Sequence, residues 1–363
     1  MRRTFAVLVL LALVAGALSG VAVARRKPNP KLFACSDRSG GVADINLEVD
    51  GQTAHGEFAL PSKKPTGLIV FAHGYGHTSK SWEGHMKSAA RELGVIAVAM
   101  DYRGAVIEPG ANGDGLPESH GWNVVTGAQD SIAVARMISK ACKTDKIVLL
   151  GVSMGGNTSG LAVADVGANS ITDAKGKPLF DYWIDVEGAV NVTETYFGAS
   201  ALAPANAFAA QAKADIEAEA GGTYDEVPEA YQHMTVMNRL DDIAASGIKG
   251  VVVIHGLDDG LVPYNQGREI TEGLAANSIP VDMFTIGRKS PESDNDTSAT
   301  GYAGGQVQDD YRSPLSGHAS EKSKTHIVMV TAFAQMAAIF GGIVPGPYND
   351  YFVDGEAGTF PSL

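Results

Sequence analysis

Only two of the 363 residues are cysteine, Cys35 and Cys142, and they lie more than a hundred positions apart. That spacing makes no metal-binding signature, and no His-Glu-x-x-His pattern occurs, so neither a metal nor another cofactor is expected. In an oxidising compartment the two cysteines are candidates for one disulfide. Basic residues are scarce as well: 28 Lys and Arg stand against 41 Asp and Glu, a formal charge of -13. A chain this acidic has no electrostatic footprint for nucleic acid or for an anionic membrane surface. Repeats and low-complexity tracts are missing, which excludes solenoid and fibrous architectures.

Long apolar runs are missing too, with one exception at the start. Phe5 to Val23 is apolar apart from glycines and Ser19, follows Arg2 and Arg3, and ends at Ala22-Val23-Ala24. This is the pattern of a signal peptide over residues 1–24, with export as the consequence. The alternative is an uncleaved N-terminal anchor, since the run is nearly long enough to span a bilayer. Removal of the leader takes away Arg2 and Arg3 and leaves 26 basic against 41 acidic residues. Residues 25–363 then form the catalytic domain, exported, with no stable membrane insertion after cleavage.

What is present is a regular alternation. Asp44 to Leu60 reads as a hairpin turning at Val49-Asp50-Gly51. Short continuous apolar runs follow: GLIVFA (67–72), VIAVAM (95–100), KIVLL (146–150), YWIDV (182–186), VVVI (251–254) and VDMFTI (281–286). Strands covered by helices on both faces have this composition. Helical patterns intervene at Trp82–Leu93, Trp122–Ala141, Gly155–Val166, Tyr264–Ala276 and Lys322–Phe340. The expectation is an α/β fold with a doubly wound, mostly parallel sheet, an N-terminal hairpin and a helical cap over 197–246. Residues 288–317 are polar, lack periodicity and read as a long loop, of a length uncommon unless it serves a site or is disordered.

Three segments carry chemistry. Gly151-Val152-Ser153-Met154-Gly155 fits G-x-S-x-G directly after KIVLL and before a helix. There the serine is lifted off the sheet and the helix N-terminus faces a developing oxyanion. Serine needs a base within hydrogen-bond reach. His318, in Ser316-Gly317-His318-Ala319-Ser320, sits in a loop, whereas His326 falls inside the helical pattern from Lys322 to Phe340. VVVI runs into His255-Gly256-Leu257-Asp258-Asp259-Gly260-Leu261-Val262-Pro263, which offers two adjacent carboxylates at a strand end. Asp185 ends an earlier strand and is a further candidate acid.

These segments resemble the α/β-hydrolase superfamily over about residues 44–340. Gly151 to Gly156 is similar to the G-x-S-M-G-G elbow of secreted lipases, esterases and cutinase-like enzymes. The His255–Pro263 run resembles H-G-x-x-D-x-x-V-P, also found in dienelactone hydrolases and prolyl-oligopeptidase-type peptidases. The resemblance implies the order serine, acid, histidine, hence a triad of Ser153, Asp259 and His318, with Asp258 the alternative acid. Phe71-Ala72-His73-Gly74-Tyr75-Gly76 resembles the family's oxyanion loop, which implies an oxyanion hole of the Tyr75 and Met154 N–H groups and a propping role for His73. The implied activity is hydrolysis of a small or polymeric carboxylic ester through an acyl-enzyme. A peptidase or amidase is the alternative, with Glu187, Glu194 or Asp225 in the cap region to bind a substrate amine. A catalytically dead binding protein would lack a triad member or the elbow, and none is lacking.

Overall fold

The computed structural model describes Cys35 and residues 41–110, 115–257, 259–287, 317–322 and 326–353. The expected leader, Asp258 and nearly all of the 288–317 loop lie outside these residues.

The chain opens on the hairpin of β1 (Val42–Val49) and β2 (Gln52–Ala59), paired antiparallel. Its turn is Asp50-Gly51, both with positive φ, the geometry that matches the twist of the flanking strands. The apolar runs form β3 (Leu68–Ala72), β4 (Ile96–Met100), β7 (Ile147–Val152), β8 (Tyr182–Val186), β9 (Gly250–Gly256) and β10 (Val281–Ile286). With β11 (Asn349–Val353) they build one sheet in the order β1-β2-β4-β3-β7-β8-β9-β10-β11, parallel from β4 onward.

Burial explains why these strands are apolar throughout. Leu68, Val70 and Ala72 of β3 join the core on one face, and Ile69 and Phe71 the core on the other. The first face is covered by α2 (Val124–Cys142), α3 (Met154–Ala168) and α8 (Tyr264–Ala276). The second is covered by α1 (Glu83–Ser88) and α9 (Ile327–Gly341). Cys142, the last residue of α2, is disulfide-bonded to Cys35. Among the described residues no helix is long and apolar enough to cross a membrane.

Between β8 and β9 lie α4 (Val192–Leu202), α5 (Ala207–Ala220), α6 (Pro228–Met234) and α7 (Leu240–Ala245). The last is the crossover helix. A Cβ on Gly167 of α3 would meet the Asp242 carbonyl at 1.8 Å, and Arg239 bridges Asp165 and Asp242 at 3.2 and 2.5 Å.

Three features depart from the sequence pattern. The last helix begins at Ile327 rather than near Lys322, so His326 stands before it and not within it. A small antiparallel pair, β5 (Val106–Pro109) and β6 (Pro117–His120), follows β4. β11, which the apolar-run pattern did not single out, pairs in parallel with β10 at the sheet edge.

Candidate active site

Ser153 stands between β7 and α3 with φ 58° and ψ -124°. A non-glycine residue is strained there and persists because its neighbours leave no alternative. A Cβ on Gly151 would lie 2.0 Å from the Gly155 carbonyl oxygen, and one on Gly155 would lie 2.2 Å from that of Ala72. The Ser153 N–H donates to Val186 O at 2.9 Å, while its carbonyl accepts from Gly156 and Ala189. Met154 opens α3, so its N–H belongs to the first-turn amides that lack an intrahelical partner.

The acid comes from the turn after β9. Asp259 Oδ1 accepts from the N–H groups of Leu261 and Val262, both at 2.9 Å, and this turns Oδ2 towards His318. His318 Nδ1 meets that Oδ2 at 2.8 Å. Asp259 does not cap α8, whose N-cap is Pro263. Burial favours a neutral Asp259, but His318 and His255 beside it hold the carboxyl far below its ordinary range. Burial likewise opposes a charged His318, and the Asp259 and Glu187 carboxylates outweigh it, so the imidazole lies above the usual histidine value. His255 Nε2 donates to Val262 O at 2.9 Å and stands 3.5 Å behind Asp259 Oδ2.

The other candidate acids and bases sit elsewhere. Asp185 is fully buried behind the elbow, where Cβ atoms on Gly156 and Gly188 would meet its Oδ1 at 2.2 and 2.0 Å. Burial pushes its carboxyl up to about 7, against the His255 charge and the Gly188 amide. His326 is buried at the head of α9.

Glu187 is not a cap residue. It follows β8 directly, is fully buried, and accepts from Gly256 N at 3.1 Å and Ala319 N at 2.6 Å. Those bonds face the protein interior, which removes it as an amine-binding group. Glu194 lies in the first turn of α4 and accepts from Asn265. Glu187, Asp259 and His318 bring one polar atom each within 4.8 Å of one another, close enough to surround a small cation. Their partners make them a hydrogen-bond array instead, since the carboxylate oxygens already face backbone N–H groups or the imidazole.

The loop after β3 lies against the serine: a Cβ on Gly74 would stand 3.3 Å from Ser153 Cβ. His73 is buried, its ring stacked on Tyr102 at 3.9 Å and its Nδ1 3.0 Å from Gly74 O, and burial lowers its pKa. Such a ring props the loop. Tyr75 packs on Trp122 and on Phe208 of α5, and its hydroxyl donates to Asp215 of α5.

Glu321 is a residue that sequence reasoning missed. Fully buried three positions after His318, it accepts from Gly74 N through Oε1 and pairs with His77 Nδ1 through Oε2. Burial would raise its carboxyl, but His77 and the Gly74 amide hold it down at about 2. An acidic residue next to the expected base was visible in the sequence; its partners, 244 and 247 residues earlier, were not.

Residues 69–290 match the family described as the alpha/beta hydrolase family. No curated protein sequence matches the chain. Among solved structures, a puromycin hydrolase is similar in fold, with TM-score 0.53 at 14% identity over 84% of this chain. The match covers 39% of the puromycin hydrolase chain, well under half its length. An esterase, rPPE, in a mutant form, has TM-score 0.52 at 15% identity, covering 85% of each chain.

Proposed function

The chain belongs to the alpha/beta hydrolase family, and we propose that it is an exported serine hydrolase that cleaves carboxylic esters through an acyl-enzyme on Ser153. The observation that carries this reading is the 2.8 Å contact between His318 Nδ1 and an Asp259 carboxylate fixed by two backbone amides, in a fold that sets Ser153 on a strained elbow.

In the proposed reaction His318 Nε2 removes the Ser153 hydroxyl proton as Oγ attacks the ester carbonyl. Asp259 holds the imidazole in the tautomer with hydrogen on Nδ1 and stabilises its charged form. The N–H groups of Tyr75 and Met154 receive the oxyanion. His318 returns the proton to the leaving alcohol, and water then releases the acid by the same route. The helices α4 to α6 act as the cap and set which acyl group enters.

Ester cleavage is preferred to peptide cleavage on the placement of Glu187, whose carboxylate is taken up inside the protein; of the other two acids Glu194 gives one oxygen to Asn265, and Asp225 lies exposed between α5 and α6. The disulfide of Cys35 and Cys142 supports export, because such bonds persist in oxidising compartments.

A fluorophosphonate should label the wild-type protein at Ser153 and leave Ser153→Ala unlabelled with its melting temperature unchanged. A p-nitrophenyl acyl ester should be turned over, and an aminoacyl anilide should not. Labelling at another serine, or preference for the anilide, would refute the reading.

A further inference from the structure

Asp259 is not the only carboxylate at His318. Glu187 Oε2 lies 3.6 Å from the same ring nitrogen. Neither group is exposed. Glu187 is held on the spot: its Oε1 accepts from Gly256, the last residue of β9, and its Oε2 from Ala319, the residue after the imidazole. It therefore ties the strand that delivers Asp259 to the loop that delivers His318. Its backbone is in the left-handed region at φ 47°, where a glutamate is strained. Strain of this kind marks positions that the surroundings over-determine, and often functional ones.

We propose that Glu187 is a positioning residue for His318: a second, permanently buried carboxylate that shares with Asp259 the stabilisation of the imidazolium. The inference rests on the serine-hydrolase reading above for its catalytic consequence, not for its test.

When His318 accepts a proton, the ring gains a positive charge in a site from which water is excluded. Asp259 supplies the direct hydrogen bond at 2.8 Å, and Glu187 supplies charge from 3.6 Å, beyond hydrogen-bond distance of Nδ1, while its Oε2 receives the Ala319 N–H. An opposite charge at this range favours the protonated ring. The other titratable groups near this site are His255, behind Asp259 and opposing a second positive charge, Asp185, two residues before Glu187 on β8, and the buried pair of Glu321 and His77 beside Gly74.

The test is the titration of His318 itself, read by NMR of protein carrying 13C-labelled histidine and assigned by its absence in His318→Gln. Glu187→Gln should lower the His318 titration midpoint by about one unit or more. The acidic limb of kcat/KM for a p-nitrophenyl ester should move down with it, and the position of that limb does not depend on how much protein folds. Glu187→Asp, which keeps the charge but withdraws it by one methylene, should give a smaller drop in the same direction and serves if the glutamine variant does not fold. An unchanged or raised midpoint in either variant overturns the inference. Failure of the serine-hydrolase reading would look different: no ester turnover and no label at Ser153 in the wild type, with the His318 midpoint still responding to Glu187.

Discussion

Glu321 accepts the N–H of Gly74, so one buried carboxylate joins the loop that carries His318 to the loop that lies against Ser153. The two loops are 247 residues apart in sequence at this contact. Loop position is thereby set on both sides of the serine by acidic residues of the interior, Glu321 towards β3 and Glu187 towards β9.

Replacing that carboxylate should loosen the oxyanion loop. The folded Glu321 carboxyl lies at about 2, below its ordinary 4.5, so its contribution is present above pH 4.5 and is lost as pH falls towards 2. Glu321→Gln should lower stability by about 1–3 kcal/mol near pH 7. Thermal unfolding of both proteins against pH should show the gap closing below about pH 3. A gap that persists unchanged in acid would mean that the charge is not what stabilises the contact.

His318 is expected to be the base and His326 not. A base must be neutral to take the serine proton, and Asp259 holds the His318 pKa above its ordinary 6.5. The acylation rate should therefore fall on acidification with a midpoint above that value. His318→Ala should abolish that limb with nearly all activity, and His326→Ala should keep the limb. A dead His326→Ala enzyme with a live His318→Ala would reverse the assignment.

Asp259→Asn should lose on the order of 10³ to 10⁴ in kcat, because the amide cannot hold the required imidazole tautomer. Asp258→Asn should stay within about tenfold of wild type, well short of the roughly 10² to 10⁴ that losing an acid–base group costs. Steady-state kinetics on the two variants decide between the adjacent aspartates.

Asp185 is buried with its carboxyl raised to about 7, above its ordinary 3.8. An acid shifted upward stabilises the fold when protonated and loses that stabilisation as pH rises from about 4 through about 7. Asp185→Asn, which stays neutral, should melt higher than wild type at pH 8 and show little difference below about pH 4. The opposite ordering at pH 8 would mean that the ionised form is the one the site accommodates.

The Cys35–Cys142 bond closes a loop of 107 residues. On the chain-entropy model such a closure is worth roughly 4 to 5 kcal/mol, of which less is usually realised. Denaturant unfolding of Cys35→Ser/Cys142→Ser should show a lower midpoint, and unreduced wild-type protein, unfolded, should present no reactive thiol.

The parallel sheet and its order of elements were legible in the sequence, because strands buried on both faces must be apolar at every position and helices between them must show a 3.6-residue repeat. Tyr182–Val186 and Tyr264–Ala276 coincide with their sequence patterns for that reason. The elbow was legible too as a local G-x-S-x-G pattern after a strand, although only Gly151 answers to a nearby carbonyl, that of Gly155, whereas Gly155 itself answers to Ala72 of β3. What only the tertiary structure decided depends on contacts between distant parts of the chain. β11 is a strand because β10 offers it an unpaired edge. Glu187, which by sequence looked like a candidate to greet a substrate, lies inside because the loop after β9 and the His318 loop both point N–H groups at it. Glu321 has its meaning from Gly74 and His77. A buried carboxylate is tolerated only where donors converge on it, and convergence of segments hundreds of residues apart is a property of the fold, not of any local pattern.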